Sequence, residues 1–301
     1  MNVFVAGGTG TIGIPVVRAL VAGGHQVTAL TRSASKQDGI RALGANAAVA
    51  DAFNREALVA ALEAAHPTHV IHQLTALPKD GPRRARDLDA TNRLRVDGTR
   101  NLLNAAIDAR VRRFVVGSFA MLSPRAAGAP AQNEAAAAVP SMESQVLEAT
   151  KRGSIEGVIL RYGMFYGLES PSTVTMIRMV RKRLLPVVSG DAGQLPLIHV
   201  DDAVSATLSA LDLAPAGSTY DIVDDQSMSL TDIVEAIAEY TGSTPPFRVP
   251  AWLPRLIAPY MARFTAFRMP LSNAKAKAEL GWRPQFPTMR DGLAEMLRHA
   301  A

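Results

Sequence analysis

Cysteine is missing from all 301 residues. Its absence excludes a disulfide framework, a thiolate metal site and a cysteine nucleophile, and it fits a reducing compartment. Aromatic residues are scarce, at 5%. The densest cationic groups, Arg83-Arg84-Arg86 and Arg178-Arg181-Lys182-Arg183, have no interleaved rings on which single-stranded nucleic acid could stack. The net charge of +5 therefore reads as solvated faces and no nucleic-acid partner, with an anionic ligand at the second cluster as the sharper alternative. No apolar run reaches the ~18 residues that cross a bilayer, and Met1-Asn2 lead straight into an apolar strand instead of a signal segment. The expectation is a cytoplasmic protein with no membrane partner. His66, His69 and His72 recur every third residue, a period that suits neither face of a strand, so no metal is expected there.

What is present is an ordinary globular composition, 48% hydrophobic and 20% charged. Apolar runs of strand length alternate with helical patterns in the first half, as a doubly wound parallel α/β sheet requires. The expected strands are Asn2–Ala6, Gln26–Leu30, Ala47–Ala50, His69–Leu74, Arg113–Gly117 and Gly157–Arg161. Helices are expected at Ile12–Val21, Arg55–Ala65, Arg86–Ala109 and Ser141–Lys151, with Gly23-Gly24 closing the first. Ala126–Ala138 reads as a mobile loop. Beyond Arg161 come a basic helix (Thr173–Arg183), a strand-like run into Asp201-Asp202 that opens a helix, a strand at Thr219–Val223 and a helix capped by Ser229 or Thr231. Asp201 or Asp202 is expected to cap its helix, with His199 packed at the rim of a pocket. The proline- and aromatic-rich stretch Thr244–Pro270 is expected to cover a substrate cleft. The domain reading is a dinucleotide-binding Rossmann domain over 1–165 and a smaller C-terminal substrate-binding subdomain over 166–301, with 198–240 returning in part to the Rossmann core.

The chemistry starts at Gly7-Gly8-Thr9-Gly10-Thr11-Ile12-Gly13, between the first strand and the first helix. Gly7 allows the tight turn, Gly10 lets backbone approach a pyrophosphate, and Gly13 lets the helix pack on the sheet. The amides at the helix start, with Thr11 and Ile12, then face the phosphates with the positive end of the helix dipole. At the end of the second strand an acidic residue would hold the ribose hydroxyls of NAD; here stand Thr31-Arg32-Ser33, with Lys36 close behind. Arg32 suits a 2′-phosphate, so NADP(H) is expected as the preferred cofactor, with NAD(H) possible. Asp51, after the third strand, is placed to meet the adenine edge.

Together with this turn, Val70–Ala76, Gly98-Thr99-Arg100-Asn101-Leu102-Leu103, Arg112–Val115 leading to Ser118, Leu160–Gly167, His199–Asp202 and Lys275–Pro284 resemble the extended short-chain dehydrogenase/reductase family, the NAD(P)-dependent epimerase/dehydratase group. The resemblance spans nearly the whole chain. It implies cofactor contacts from Leu74, Thr75, Tyr162 and Met164, the stretch Tyr162–Phe165 lining the nicotinamide pocket. The family's catalytic tyrosine, followed four residues later by lysine, is not found: the residues four beyond Tyr162, Tyr166, Tyr220, Tyr240 and Tyr260 are Tyr166, Ser170, Asp224, Thr244 and Phe264. Aligned through Glu148, the two slots hold Pro140 and Ser144. Phe119 takes the slot of the family's active-site Ser/Thr, beside Ser118, and Arg95 takes that of its asparagine, near Asn92.

Candidate catalytic groups are therefore Tyr162 and Tyr166 as substitute acids, Ser118 beside the family slot, and Glu143 and Ser144 more weakly. A positioned acid contributes ~10²–10⁴-fold, and its loss is tolerable where the substrate is already activated, as in an iminium or a conjugated alkene. Three readings follow: an NADP(H)-dependent oxidoreductase transferring hydride to a small or medium organic molecule; an epimerase, isomerase or dehydratase using the dinucleotide transiently; or a non-catalytic dinucleotide-binding sensor. A monomer or homodimer is expected.

Overall fold

The computed structural model describes residues 1–78, 84–122, 134–190, 193–257, 268 and 271–298. Arg83, most of the expected loop Ala126–Ala138, and Tyr260, Phe264 and Phe267 of the expected cover lie outside the described residues.

Seven strands form one parallel sheet. They are β1 (Asn2–Ala6), β2 (Gln26–Thr31), β3 (Asn46–Val49), β4 (His69–His72), β5 (Arg113–Phe119), β6 (Glu156–Tyr162) and, later in the chain, β10 (Thr219–Ile222). Their order is β3-β2-β1-β4-β5-β6-β10, with every pairing parallel. Order reverses between β1 and β4, the switch point at which ligands bind beyond the carboxyl ends of the strands. All four residues of β4 and the last four of β1 are buried, as sheets covered on both faces demand.

Helices α1 (Gly13–Ala22), α2 (Gln37–Ala42), α3 (Arg55–Ala65), α4 (Asp89–Arg93), α5 (Thr99–Asp108) and α6 (Glu134–Lys151) connect the strands. The expected helix Arg86–Ala109 is realised in four parts: a 3-10 turn, Ala85–Leu88, leads into α4, and a turn of π-helix, Leu94–Gly98, joins α4 to α5. The helix expected from Ser141 begins at Glu134 and carries Pro140 inside it, so its first residues fall where a loop is expected from the Ala/Gly/Pro composition. The remaining elements are β7 (Met164–Tyr166), α7 (Pro171–Arg181), β8 (Val187–Val188), β9 (Leu197–His199), α8 (Val200–Leu213), α9 (Leu230–Tyr240), β11 (Arg248–Val249), α10 (Trp252–Ile257), α11 (Ala274–Leu280) and α12 (Met289–Arg298). β7 pairs with β9 and β8 with β11, in two small parallel sheets.

Three apolar clusters follow from this arrangement. One sheet face packs on α1, α8 and α11 through Val16, Leu20, Ile198, Ala206 and Trp282. The other packs on α3, α5 and α6 through Leu58, Leu102, Phe114 and Val146. A third unites α7, α9 and α12 around Tyr166, Val180, Ile237 and Leu293. Ser229 caps α9 in a reciprocal box with Asp232. The cap of α8 departs from expectation: His199 itself is the N-cap, its Nδ1 accepting from the Asp201 amide at 3.2 Å. Asp202 is drawn elsewhere, accepting from the Gln285 and Phe286 amides at 2.6 and 2.9 Å.

Candidate active site

The glycine turn closes on itself through Gly10 N–H donating to Gly7 O at 3.0 Å. Gly7 lies at φ +90°, and a Cβ there would stand 2.6 Å from the Gln73 carbonyl. That is the seam between the ends of β1 and β4. A Cβ on Gly13 would meet Gly7 O at 2.0 Å, so close packing of α1 on the turn requires glycine. Gly10 is different: its nearest neighbour is Gly7 O at 3.3 Å, and its open side leaves room for a ligand. No acidic side chain occupies the first turn of α1 and no side chain caps it, so its dipole end is free for an anion. The fit to a diphosphate is good. Beside the turn a cleft of about 370 Å³ is lined by Gly8, Thr9, Ser35, Lys36 and Gly39 among others. Arg32 is exposed at the end of β2 and makes no ion pair with any described residue. Asp51 is exposed, with Oδ1 accepting from the Phe53 amide at 2.9 Å.

β4 ends in a device that the sequence pattern does not advertise. His72 accepts from the Leu74 amide at Nδ1 (3.2 Å), so Nε2 carries the hydrogen toward Thr99 Oγ1 at 2.8 Å. Burial holds the ring neutral, with its pKa lowered to about 4. Leu74 is thereby fixed at the switch point and Thr75 stands exposed beside it. His66 ends α3 in a left-handed conformation and His69 bonds to Thr68, so the three histidines serve separate local partners.

The three candidate catalytic residues do not converge. Tyr162 sits on the α8 face of the sheet. Thr207 gives its only hydrogen to Ala203 O at 2.6 Å, so the Tyr162 hydroxyl donates to Thr207 Oγ1 at 2.7 Å while accepting from Gln73 Nε2 at 3.1 Å. Burial pushes this phenol up to about 12. Tyr166 lies in the cluster around α9 and α12, its hydroxyl donating to Thr288 O at 3.2 Å; burial first, and the nearby Asp224 next, raise its pKa strongly. Ser118 is on the α6 face, where its hydroxyl donates to Glu143 Oε1 at 2.6 Å. Glu143 also receives Arg161 Nε at 2.9 Å and Nη2 at 2.6 Å, and both side chains of the pair are nearly buried. This forked bond is the main reason the Arg161 pKa is raised. Ser144 is exposed and bonded to Glu148 within its own helix.

Sequence reasoning passed over Gln73, Arg161 and Thr207. The available signal was Gly117: a Cβ there would lie 2.1 Å from Gln73 Oε1, so a glycine inside an apolar strand marks the place where another side chain crosses it. Met164 is half-buried and held by its amide on Pro196 O at 2.8 Å.

Residues 3–223 match the model of the NAD dependent epimerase/dehydratase family. The chain belongs to that family, and it is an enzyme that uses a nicotinamide dinucleotide. Along 97% of its length it is 38% identical to the 3-diazoavenalumate denitrifying reductase of a Streptomyces species, of which the match covers 99%. It is 27% identical to a 4-hydroxy-2-methyl-3-oxo-4-farnesyl-3,4-dihydroquinoline-1-oxide ketoreductase of Stigmatella aurantiaca, over 96% of this chain and 83% of that protein. Among solved structures, the UDP-glucose 4-epimerase of Thermus thermophilus, complexed with NAD, superposes with a TM-score of 0.78 at 22% identity, covering 99% of this chain and 98% of that one. This last likeness concerns the fold.

Proposed function

We propose that the enzyme is an NADP(H)-dependent reductase whose substrate accepts hydride without needing a proton from the protein, an aryl diazonium compound being the leading class. The observation that carries this reading is the state of its tyrosines. Tyr162 spends its proton on Thr207, Tyr166 on Thr288, and neither has the neighbouring lysine that would lower its pKa. A ketone develops an alkoxide and calls for a donor; an arenediazonium does not.

Reduced nicotinamide would supply the hydride. The balance is simple: the aryl C–N bond breaks, a C–H bond forms with the hydride pair, and neutral dinitrogen leaves, so the positive charge is consumed and no proton enters. The 38%-identical relative is named for the loss of nitrogen from a diazo carboxylate, which agrees with this chemistry. The residues of this chain bind and orient: Gly7, Gly10, Thr11, Ile12 and Gly13 hold the diphosphate; Arg32, with Ser35 and Lys36, holds the 2′-phosphate; Asp51 keeps its second oxygen for the adenine. Leu74, Thr75 and Met164 border the nicotinamide, and the unit built from 166–301 encloses the substrate. Tyr162 supports the pocket wall through its ring, and Ser118 anchors Glu143.

The test is NADPH oxidation by the purified enzyme with 4-carboxybenzenediazonium, corrected for the reaction without protein. Enzyme-dependent release of dinitrogen and benzoate is expected. Turnover of ketones with no acceleration of diazo reduction overturns the proposal and favours a ketoreductase.

A further inference from the structure

Arg95 is the only buried cation of the π turn Leu94–Gly98, and it is nearly without partners. Its side chain belongs to a residue only 7% exposed. Among the described residues its guanidinium makes one hydrogen bond, Nη1 donating to Asn92 Oδ1 at a long 3.3 Å. No described carboxylate forms an ion pair with it. Glu143 gives its oxygens to Ser118 and Arg161, and Asp97 gives its own to Arg93 and Arg100. Burial lowers its pKa to about 10, which still leaves the group charged at neutral pH. A buried charge without a counter-charge is a costly arrangement that a core does not retain for packing alone.

Its surroundings say where the missing anion belongs. One turn earlier, Thr91 Oγ1 accepts from the Ala76 amide at 2.8 Å, fastening this helix to the segment that follows β4. On the other side Gln145 of α6 donates through Nε2 to Val96 O at 3.2 Å, while its Oε1 is buried with no hydrogen-bond partner. The π turn thus carries a buried guanidinium with one long hydrogen bond, and Gln145, bonded to the same turn, carries an amide oxygen with no partner among the described residues. Through Thr91 the helix leading into that turn is fastened beside Leu74 and Thr75, where the proposed function puts the nicotinamide end of the cofactor. π turns inside α-helices are frequent at functional sites because the extra residue re-aims side chains.

We infer that Arg95 is an anion-binding residue of the substrate site and takes a carboxylate of the substrate in its planar fork. This rests on the reading of the chain as a reductase with its substrate beside Leu74 and Thr75. A carboxylate is the oxyanion that the planar fork matches with two parallel bonds; a cofactor phosphate is the other source of such chemistry, and the experiment separates them.

Enzyme saturated with NADPH is titrated with cinnamate and with neutral cinnamamide, following nicotinamide fluorescence, and NADPH affinity is measured separately. Wild type should bind cinnamate about tenfold or more tightly than the amide, a difference that Arg95→Met abolishes while NADPH affinity holds. Arg95→Lys guards against a folding defect, since it keeps the charge but lacks the fork; it should retain NADPH binding and weaken cinnamate. Discrimination that survives in both variants overturns the assignment. So does failure of cinnamate, benzoate and 3-phenylpropionate alike to bind the wild-type holoenzyme. Loss of NADPH binding with cinnamate untouched puts the anion on the cofactor and overturns it too. If carboxylates bind through Arg95 but no diazo compound is reduced, the reaction assignment fails and the anion site stands.

Discussion

Tyr162 and Thr207 form a one-directional hydrogen bond: the phenol donates at 2.7 Å because the threonine hydrogen is committed to Ala203 O. The tyrosine that ends β6 is therefore tied to the middle of α8, and its proton points into the core. Tyr162→Phe is expected to leave the rate of hydride transfer within about threefold and to lower stability by ~1 kcal/mol, the usual worth of such a bond. Single-turnover kinetics and denaturant unfolding of the same variant check both halves. A hundredfold loss of rate at unchanged cofactor occupancy would show that Tyr162 is the acid after all.

Arg32, exposed just after β2, forms no ion pair with any described residue, and Ser35 and Lys36, a few residues on, line the cleft beside the glycine turn. Arg32→Ala should weaken NADPH by about tenfold, ~1.4 kcal/mol, and hardly change NADH. Parallel fluorescence titrations with the two cofactors decide it; equal losses would remove Arg32 from the 2′-phosphate.

Glu143 and Arg161 hold α6 to β6 from inside. Glu143→Ala leaves the arginine buried without its counter-charge, for which a cost of ~3–5 kcal/mol is expected. Glu143→Gln, which can still accept one bond, should cost clearly less. Urea unfolding of the pair checks the order; equal small losses would mean that solvent reaches Arg161.

Asp224 is buried beside Tyr166 and Asp202, and burial above all raises its pKa to about 8. The native state therefore keeps a proton that the unfolded chain releases near the ordinary value of 3.8. Protons are bound more by the native state across that interval, so this group's contribution to stability falls as pH rises from about 4 to about 8 and levels off above. Asp224→Asn should remove that slope and raise Tm at pH 8 by ~3 °C or more relative to wild type. Melting curves from pH 5 to 9 test it; an identical slope in the variant would assign the pH dependence elsewhere.

Much of the fold was legible because its signals are local. The strand Asn2–Ala6, the glycine turn and the Ser229 cap each follow from a few neighbouring residues whose conformation sterics or a short hydrogen bond dictates. The conformation of the Gly7–Gly13 turn is equally local, whereas the partners of the candidate side chains are not. Which sheet face a side chain takes at the end of β5 or β6 sends Ser118 to Glu143 and Tyr162 to Thr207, and those partners lie 25 and 45 residues away. His199 illustrates the same limit: Asp202 is the better capping residue by type, but the Gln285 and Phe286 amides, over 80 residues on, take it.

The most direct measurement is a pair of isotope effects on the reduction of 4-carboxybenzenediazonium under single turnover. Hydride delivery without a protein acid predicts slower reduction when the transferred hydrogen of NADPH is deuterium, and an unchanged rate in heavy water. A marked slowing in heavy water, removed by Tyr162→Phe or Tyr166→Phe, would contradict it, because a tyrosine proton would then be moving in the step that limits the reaction.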